Sequence, residues 1–202
     1  MASVEPGFAK PHRPHAAALP VLDDGVIQLG PWPAETADAD TEALARLHAD
    51  PAGIRYWSIE PWTPGDRARA EAYLDDIEAG ARDGDLMQFA ARLPGSPALV
   101  GWVTLYRIER THRRAEIGYL IDTALWGRGL GRRMVALALD HAVGALALHK
   151  IEADVDPRNA ASRRMLESLG FQREGLLRQR WRTGGELQDS AVYGLIADEW
   201  RG

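Results

Sequence analysis

The chain contains no cysteine. Disulfides, thiolate metal sites and a cysteine nucleophile are therefore excluded. The absence leaves the redox compartment open and is compatible with a cytoplasmic enzyme. Long apolar runs are also missing. Residues 1–20 are rich in Pro, Ala and His, and carry neither the apolar core of a signal peptide nor a membrane span. Net charge is small, -5 from 29 acidic and 24 basic residues. That argues against a nucleic-acid-binding surface and leaves a cationic partner compatible. His12 and His15 find no further ligand nearby to complete a metal site, so no metal is expected. Internal repeats and interdomain linkers are absent too.

What is present suits one domain. The 202 residues suffice to bury a core. The reading is a flexible arm over residues 1–22 and a folded domain over residues 23–202. A first strand is predicted at residues 26–29 and a helix at 37–49, with Thr36 as a possible cap. Residues 50–62 form a loop rich in aromatics: Tyr56, Trp57 and Trp62. Thr63-Pro64-Gly65-Asp66 reads as a helix start, and that helix should run to about Arg82. Strands follow at 87–93, 99–107 and 114–121, the first two joined across Pro94-Gly95-Ser96-Pro97. Helical spacing of Leu130, Met134, Leu137, Ala138 and His141 predicts a helix over 129–146. A fifth strand at 150–155, a short helix at 159–169 and two strands at 171–181 and 186–196 complete the order. Gly170 ends the short helix, and Thr183-Gly184-Gly185 turns between the last strands.

The chemistry lies in two segments. Trp126-Gly127-Arg128-Gly129-Leu130-Gly131-Arg132 leaves a strand and enters a helix. Glycines there let the backbone approach a ligand, and the free N–H groups of a helix start bind anionic oxygen. A diphosphate is the natural guest; a tight turn with no ligand is the alternative. The segment is not a P-loop, because no Gly-Lys-Ser/Thr follows, and it is not a dinucleotide fingerprint. The second segment runs from the fifth strand through Asp156-Pro157-Arg158-Asn159-Ala160-Ala161-Ser162 to Leu169-Gly170-Phe171.

Together these segments resemble the GNAT N-acetyltransferase superfamily. Ala115-Glu116-Ile117-Gly118-Tyr119, Trp126-Gly127-Arg128-Gly129 and the ending Gly185, Asp189, Tyr193, Glu199-Trp200 are similar to its ribosomal-protein N-acetyltransferase (RimJ/RimL) branch. Trp126 departs from the Gln or Arg of the wider superfamily, but removes no backbone donor. The resemblance implies an α/β (α+β) fold: a twisted, mixed, mostly antiparallel seven-stranded sheet flanked by about four helices. Its strands four and five, here 114–121 and 150–155, should splay apart. Acetyl-CoA, as co-substrate, would lie in that V, with pantetheine along Tyr119, Leu120 and Ile121. Its pyrophosphate would meet Trp126, Gly127, Arg128, Gly129, Leu130, Gly131 and Arg132. Acetyl would pass directly to a primary amine: a small molecule, an amino-acid derivative or antibiotic, or a protein N-terminus.

Each residue role keeps its alternative. Glu116 is the candidate general base, or pairs with Arg110, Arg113 or Arg114. Ser162 matches the branch's proton donor to the leaving thiolate, or is an N3 residue of a helix capped by Asn159. Asn159 itself caps the helix or contacts the coenzyme. Arg128, Arg132, Arg163 and Arg164 meet phosphates or coat solvated faces. Tyr56, Trp57 and Trp62 form an acceptor wall or are staples buried under the loop. Competing readings of the whole are an acyl-CoA sensor without turnover and a structural dimer; a homodimer is also compatible with the enzyme.

Overall fold

The computed structural model describes residues 19–183 and 185–202. His12, His15, Gly184 and most of the arm lie outside the described residues. In chain order the elements are β1 (Leu22–Asp23), β2 (Gln28–Gly30), α1 (Ala37–Ala49), α2 (Arg67–Asp83), β3 (Leu86–Arg92) and β4 (Leu99–Glu109). They continue with β5 (Arg114–Ile121), α3 (Leu130–Asp140), β6 (Lys150–Val155), α4 (Ala160–Ser168), β7 (Gln172–Thr183) and β8 (Glu186–Ile196). All strands join one sheet in the order β1-β2-β3-β4-β5-β6-β8-β7. Every neighbouring pair is antiparallel except β5 and β6.

The sheet has eight strands where seven were expected. The extra one is β1, whose Leu22 and Asp23 face Leu29 and Gln28 of β2. Asp24 Oδ1 accepts from the N–H groups of Val26 and Ile27, both at 2.9 Å. That side-chain turn takes Val26 and Ile27 out of the ladder and shifts the first predicted strand to Gln28–Gly30. Leu19 and Leu22, placed in the arm by the sequence, pack against the core.

Helix starts differ from expectation for the same kind of reason. Asp66, and not Thr63, caps α2: its carboxylate accepts from Arg69 N–H at 3.0 Å. Gly84 closes that helix in the left-handed conformation, with φ 80°. Thr36 precedes α1, yet its hydroxyl bonds Asp40 Oδ2 at 2.7 Å and makes no cap bond. The helix predicted over 129–146 is α-helical only to Asp140, then widens into a π turn over His141–Ala145.

The sheet is covered on both faces. Leu44, Leu47, Ala70 and Leu74 of α1 and α2 bury against Ala90, Trp102 and Leu120. Met134, Val135 and Ala138 of α3 and Leu166 of α4 bury against Phe89, Val103, Leu105, Ile117 and Ile151 on the other face. Burying each Leu, Met, Val, Ile or Phe side chain among them contributes about 1.5–3 kcal/mol. Strand alternation thus assigns Trp102, Thr104, Tyr106 and Gly118 to the α1–α2 face, and Ile117 and Tyr119 to the α3–α4 face. Among the described residues no helix is long and apolar enough to cross a membrane.

Candidate active site

β5 and β6 separate partway along their length. They pair at Arg114–Lys150, Ala115–Ile151 and Glu116–Glu152, and no further. Beyond that rung the strands splay, as the resemblance implied, and a cavity of about 400 Å³ occupies the gap. Its wall on the α1–α2 face comes from Tyr56, Trp57, Tyr73, Trp102, Thr104 and Tyr106. On the α3–α4 face Tyr119, Asn159 and Ser162 line it, and the β7–β8 hairpin adds Trp181 and Asp189. The cavity therefore passes through the sheet and joins its two faces.

On the α3–α4 side the glycine turn leads into α3. Gly127 and Gly129 both have φ 75°. A Cβ at either would meet nothing within 4 Å, so backbone conformation, not crowding, demands glycine there. Arg133 is the first residue here whose N–H finds a carbonyl, Gly129 O at 3.2 Å. Among the described residues no protein acceptor meets the N–H groups of Leu130, Gly131 or Arg132. With the helix dipole behind them, these donors fit a diphosphate. Leu120 and Leu130 turn their side chains into the core, so only their backbone is left to meet a coenzyme. Trp126 is exposed, and its indole N–H donates to Ile121 O at 3.2 Å, bracing the turn against β5.

Arg128, Arg132 and Arg164 are exposed, and none is held by an ion pair among the described residues. Arg163 is committed elsewhere: it donates to Pro157 O at 3.0 Å and to Tyr193 Oη at 3.3 Å. It ties α4 to the sheet.

Asn159 and Ser162 keep both of their readings. Asn159 Oδ1 accepts from Ser162 N–H at 3.1 Å and caps α4, while its side chain still borders the cavity. Ser162 Oγ lies 2.6 Å from Tyr119 Oη. Burial pushes the Tyr119 phenol up to about 12, although the bond with Ser162 pulls it down. The two hydroxyls are thus a neutral, proton-bearing pair beside the gap.

The aromatic loop divides. Tyr56 and Trp57 line the cavity, and Trp57 packs edge-on against Trp102 with ring centroids 5.2 Å apart. Trp62 does not reach it. Its ring is 5% exposed, stacks on His48 at 4.1 Å and carries Arg69 over it at 5.1 Å. Trp62 is the staple of that loop. Tyr73, Trp102, Tyr106 and Trp181 complete the aromatic wall, and the sequence reading missed them. The Trp102-x-Thr104-x-Tyr106 alternation was the available signal, but an apolar strand face reads as core until its cover is known.

Glu116 is paired, and with Arg107: Nη1 donates to Oε1 at 2.7 Å. The arginines named from the sequence are not its partners. Arg113 donates to Ala147 O, and Arg114 binds Glu109 and Glu152. Glu116 stands opposite Tyr106 on the last closed rung and is not among the residues lining the cavity. Burial, followed by the Glu116 charge, pushes the Tyr106 phenol well above its usual range.

Besides Asp189, two carboxylates border the gap. Burial pushes Asp156 up, but the Arg158 guanidinium and backbone N–H outweigh it and hold the carboxyl low. Asp154 moves the other way. Burial raises its carboxyl, against the opposing effects of the Trp181 indole and Arg180. Ser190 Oγ and Trp181 Nε1 both donate to its Oδ1, the latter at 3.4 Å. Among the described residues no cluster of His, Asp and Glu could hold a metal ion.

Comparison with known proteins converges on one family. The acetyltransferase (GNAT) domain model matches residues 33–172. An uncharacterized N-acetyltransferase, p20 of Bacillus licheniformis, is 31% identical over 163 residues, covering 81% of this chain and 90% of that protein. The crystal structure of spermidine N-acetyltransferase from Vibrio cholerae, in complex with CoA and spermine, superposes with a TM-score of 0.73 at 26% identity. It covers 87% of this chain and 98% of its own. Mycobacterium smegmatis RimJ, in complex with CoA-disulfide, gives 0.72 at 30% identity over 90% of this chain and 88% of its own. A splayed parallel pair, a glycine turn at a helix start and a cavity through the sheet are thus set in a chain that belongs to the GNAT acetyltransferase family.

Proposed function

We propose that this enzyme transfers the acetyl group of acetyl-CoA directly to a primary amine on a small molecule or peptide. The observation that carries the reading is the cavity at the splay, which joins Tyr119, Asn159 and Ser162 on the face that also carries the diphosphate-fitting turn with the aromatic wall on the other. Donor and acceptor can then approach from opposite faces, with no covalent enzyme intermediate.

The backbone N–H groups of Leu130, Gly131 and Arg132 would hold the diphosphate, and the β5 backbone along Tyr119–Ile121 and the Asn159 side chain would border pantetheine. When bound, acetyl-CoA supplies an activated thioester. The chain's own part is to position, to exclude water and to move protons. Ser162 and Tyr119 stand as the proton source for the leaving sulfur, since both hydroxyls stay protonated at neutral pH. Trp57, Tyr56 and Trp102 form a dry wall that a cationic amine can approach through its ring faces. The ion pair with Arg107 supports a structural role for Glu116.

The relative named for spermidine suggests a cationic small molecule as acceptor, and the resemblance to the ribosomal-protein N-acetyltransferase branch suggests a peptide N-terminus. A cytoplasmic location is the reading that suits an acetyl-CoA donor. The test is thiol release from acetyl-CoA with spermidine, phenethylamine and an alanyl tripeptide, alongside melting curves with acetyl-CoA. Thiol release supports the enzyme. A melting shift without release from any amine identifies a sensor instead.

A further inference from the structure

An alkylammonium with a pKa near 10 must lose a proton before it can attack a thioester. Strand alternation places Asp154 on the α1–α2 face of β6, the first position on that face beyond the last closed rung, Glu116–Glu152. It borders the cavity where the two faces meet. Ser190 of β8 and Trp181 of β7 fix Oδ1, and among the described residues no hydrogen bond or ion pair engages Oδ2. Its neighbour Asp156 is neutralised by Arg158, and Glu116 by Arg107. Asp189 also lines the cavity, but from the hairpin beyond the last β6–β8 rung, Val155–Ala191, where its Oδ1 accepts from Gln179 N–H at 2.8 Å.

We propose that Asp154 is the catalytic base, its Oδ2 receiving the acceptor ammonium and then its proton. This rests on the acetyl transfer proposed above. The first N–H proton passes to Oδ2, directly or through one water. The freed lone pair forms the N–C bond to the thioester carbonyl, and the C–S bond breaks with its electrons on sulfur. The second amine proton reaches sulfur through the Ser162 and Tyr119 hydroxyls, and Asp154 returns its proton to water. The products are an amide, a free thiol and one proton, so atoms and charge balance.

The charged groups around Asp154 are Arg107 from β4, Glu116 from β5 and Arg180 from β7, with the Tyr106 phenol beside them. Burial outweighs the two arginines and raises the carboxyl, which brings a base closer to the pH at which it must act.

The experiment compares wild type, Asp154→Asn and Glu116→Gln across pH 6 to 9.5 with the same amines. Asn keeps an oxygen for Ser190 and Trp181 and removes only the base. Asp154→Asn should lower kcat at pH 7 by about 100-fold or more and recover as pH approaches the amine pKa. Its acetyl-CoA melting shift should match wild type, and the loss in Glu116→Gln should be smaller. In the free protein, the carboxyl ¹³C signal assigned by its absence in Asp154→Asn should titrate above the ordinary aspartate range. If Asp154→Asn folds poorly, Ser190→Ala decides: losing a donor to the charged form should move the acid limb of kcat/KM to higher pH. An unmoved limb, or turnover in Asp154→Asn within about three-fold of wild type, overturns the assignment. A wild type silent with every amine overturns the acetyl-transfer reading and the base with it. An active wild type beside an equally active Asp154→Asn overturns the base alone.

Discussion

Replacing Trp62 by alanine separates packing from recognition in the aromatic loop. The ring is 5% exposed and sandwiched between His48 and Arg69, with Tyr73 edge-on at 5.8 Å. A buried indole covers about 150–250 Å², and large-to-small replacement at such a site costs about 3–5 kcal/mol. In a chain of this length each kcal/mol lowers the melting temperature by about 2–4 °C, so a fall of about 6–20 °C is expected. Neither Michaelis constant should move, because the ring does not border the cavity. Trp57→Ala should do the reverse, raising the acceptor KM with a smaller melting change. The assay is differential scanning fluorimetry with steady-state kinetics in both substrates. A Trp62→Ala protein that melts within about 2 °C of wild type but binds acceptor poorly would refute the packing argument.

Three further outcomes are expected. Gly129→Asp puts a side chain at φ 75° and a negative charge beside the free N–H groups; it should abolish acetyl-CoA-induced stabilisation and cost about 1–2 kcal/mol of strain, read by melting with and without ligand. Burial drives the His48 imidazole below its usual value, so it is neutral when folded and takes a proton when unfolded. Stability should therefore be level above about pH 6.5 and fall below it, by at most about 1.4 kcal/mol per unit, until the folded pKa is reached; urea titrations of wild type against His48→Phe isolate this slope. Tyr119→Phe should lower kcat with little change in either KM, and wild-type activity should show no loss from phenol ionisation up to pH 10, since burial pushes that phenol up to about 12.

The sequence carried local information faithfully. β5 falls where alternation placed it, and β6, β8 and α1 span the predicted residues. Side-chain competition for backbone groups was harder to see. Asp24 captured two N–H groups and moved β2; Asp66 took a cap that Thr63 could equally have supplied. The splay was legible through resemblance, and the glycine turn through its own spacing. The contents of the cavity were not. Whether Trp57 or Trp62 faces inward depends on how the loop settles over His48, which no local pattern encodes. Asp154 reads as an ordinary outward position on an alternating strand. Its partners Trp181 and Ser190 are 27 and 36 residues away, so its surroundings exist only in the assembled sheet.

The strand order also bears on how the chain assembles. β8 is made after β7, yet it enters between β6 and β7 and pairs with both. Until it arrives, β6 is an open edge, and β7 has no sheet to join. The economical route is for the two to zip locally into a hairpin and then dock as a unit onto β6. Docking closes contacts of long sequence separation, which makes it the slow step. That same event delivers Ser190 and Trp181 to Asp154. A folding intermediate lacking the docked hairpin would keep the glycine turn and α3 but have no finished reaction chamber, so competence for turnover should lag behind the bulk of helix formation in a refolding experiment.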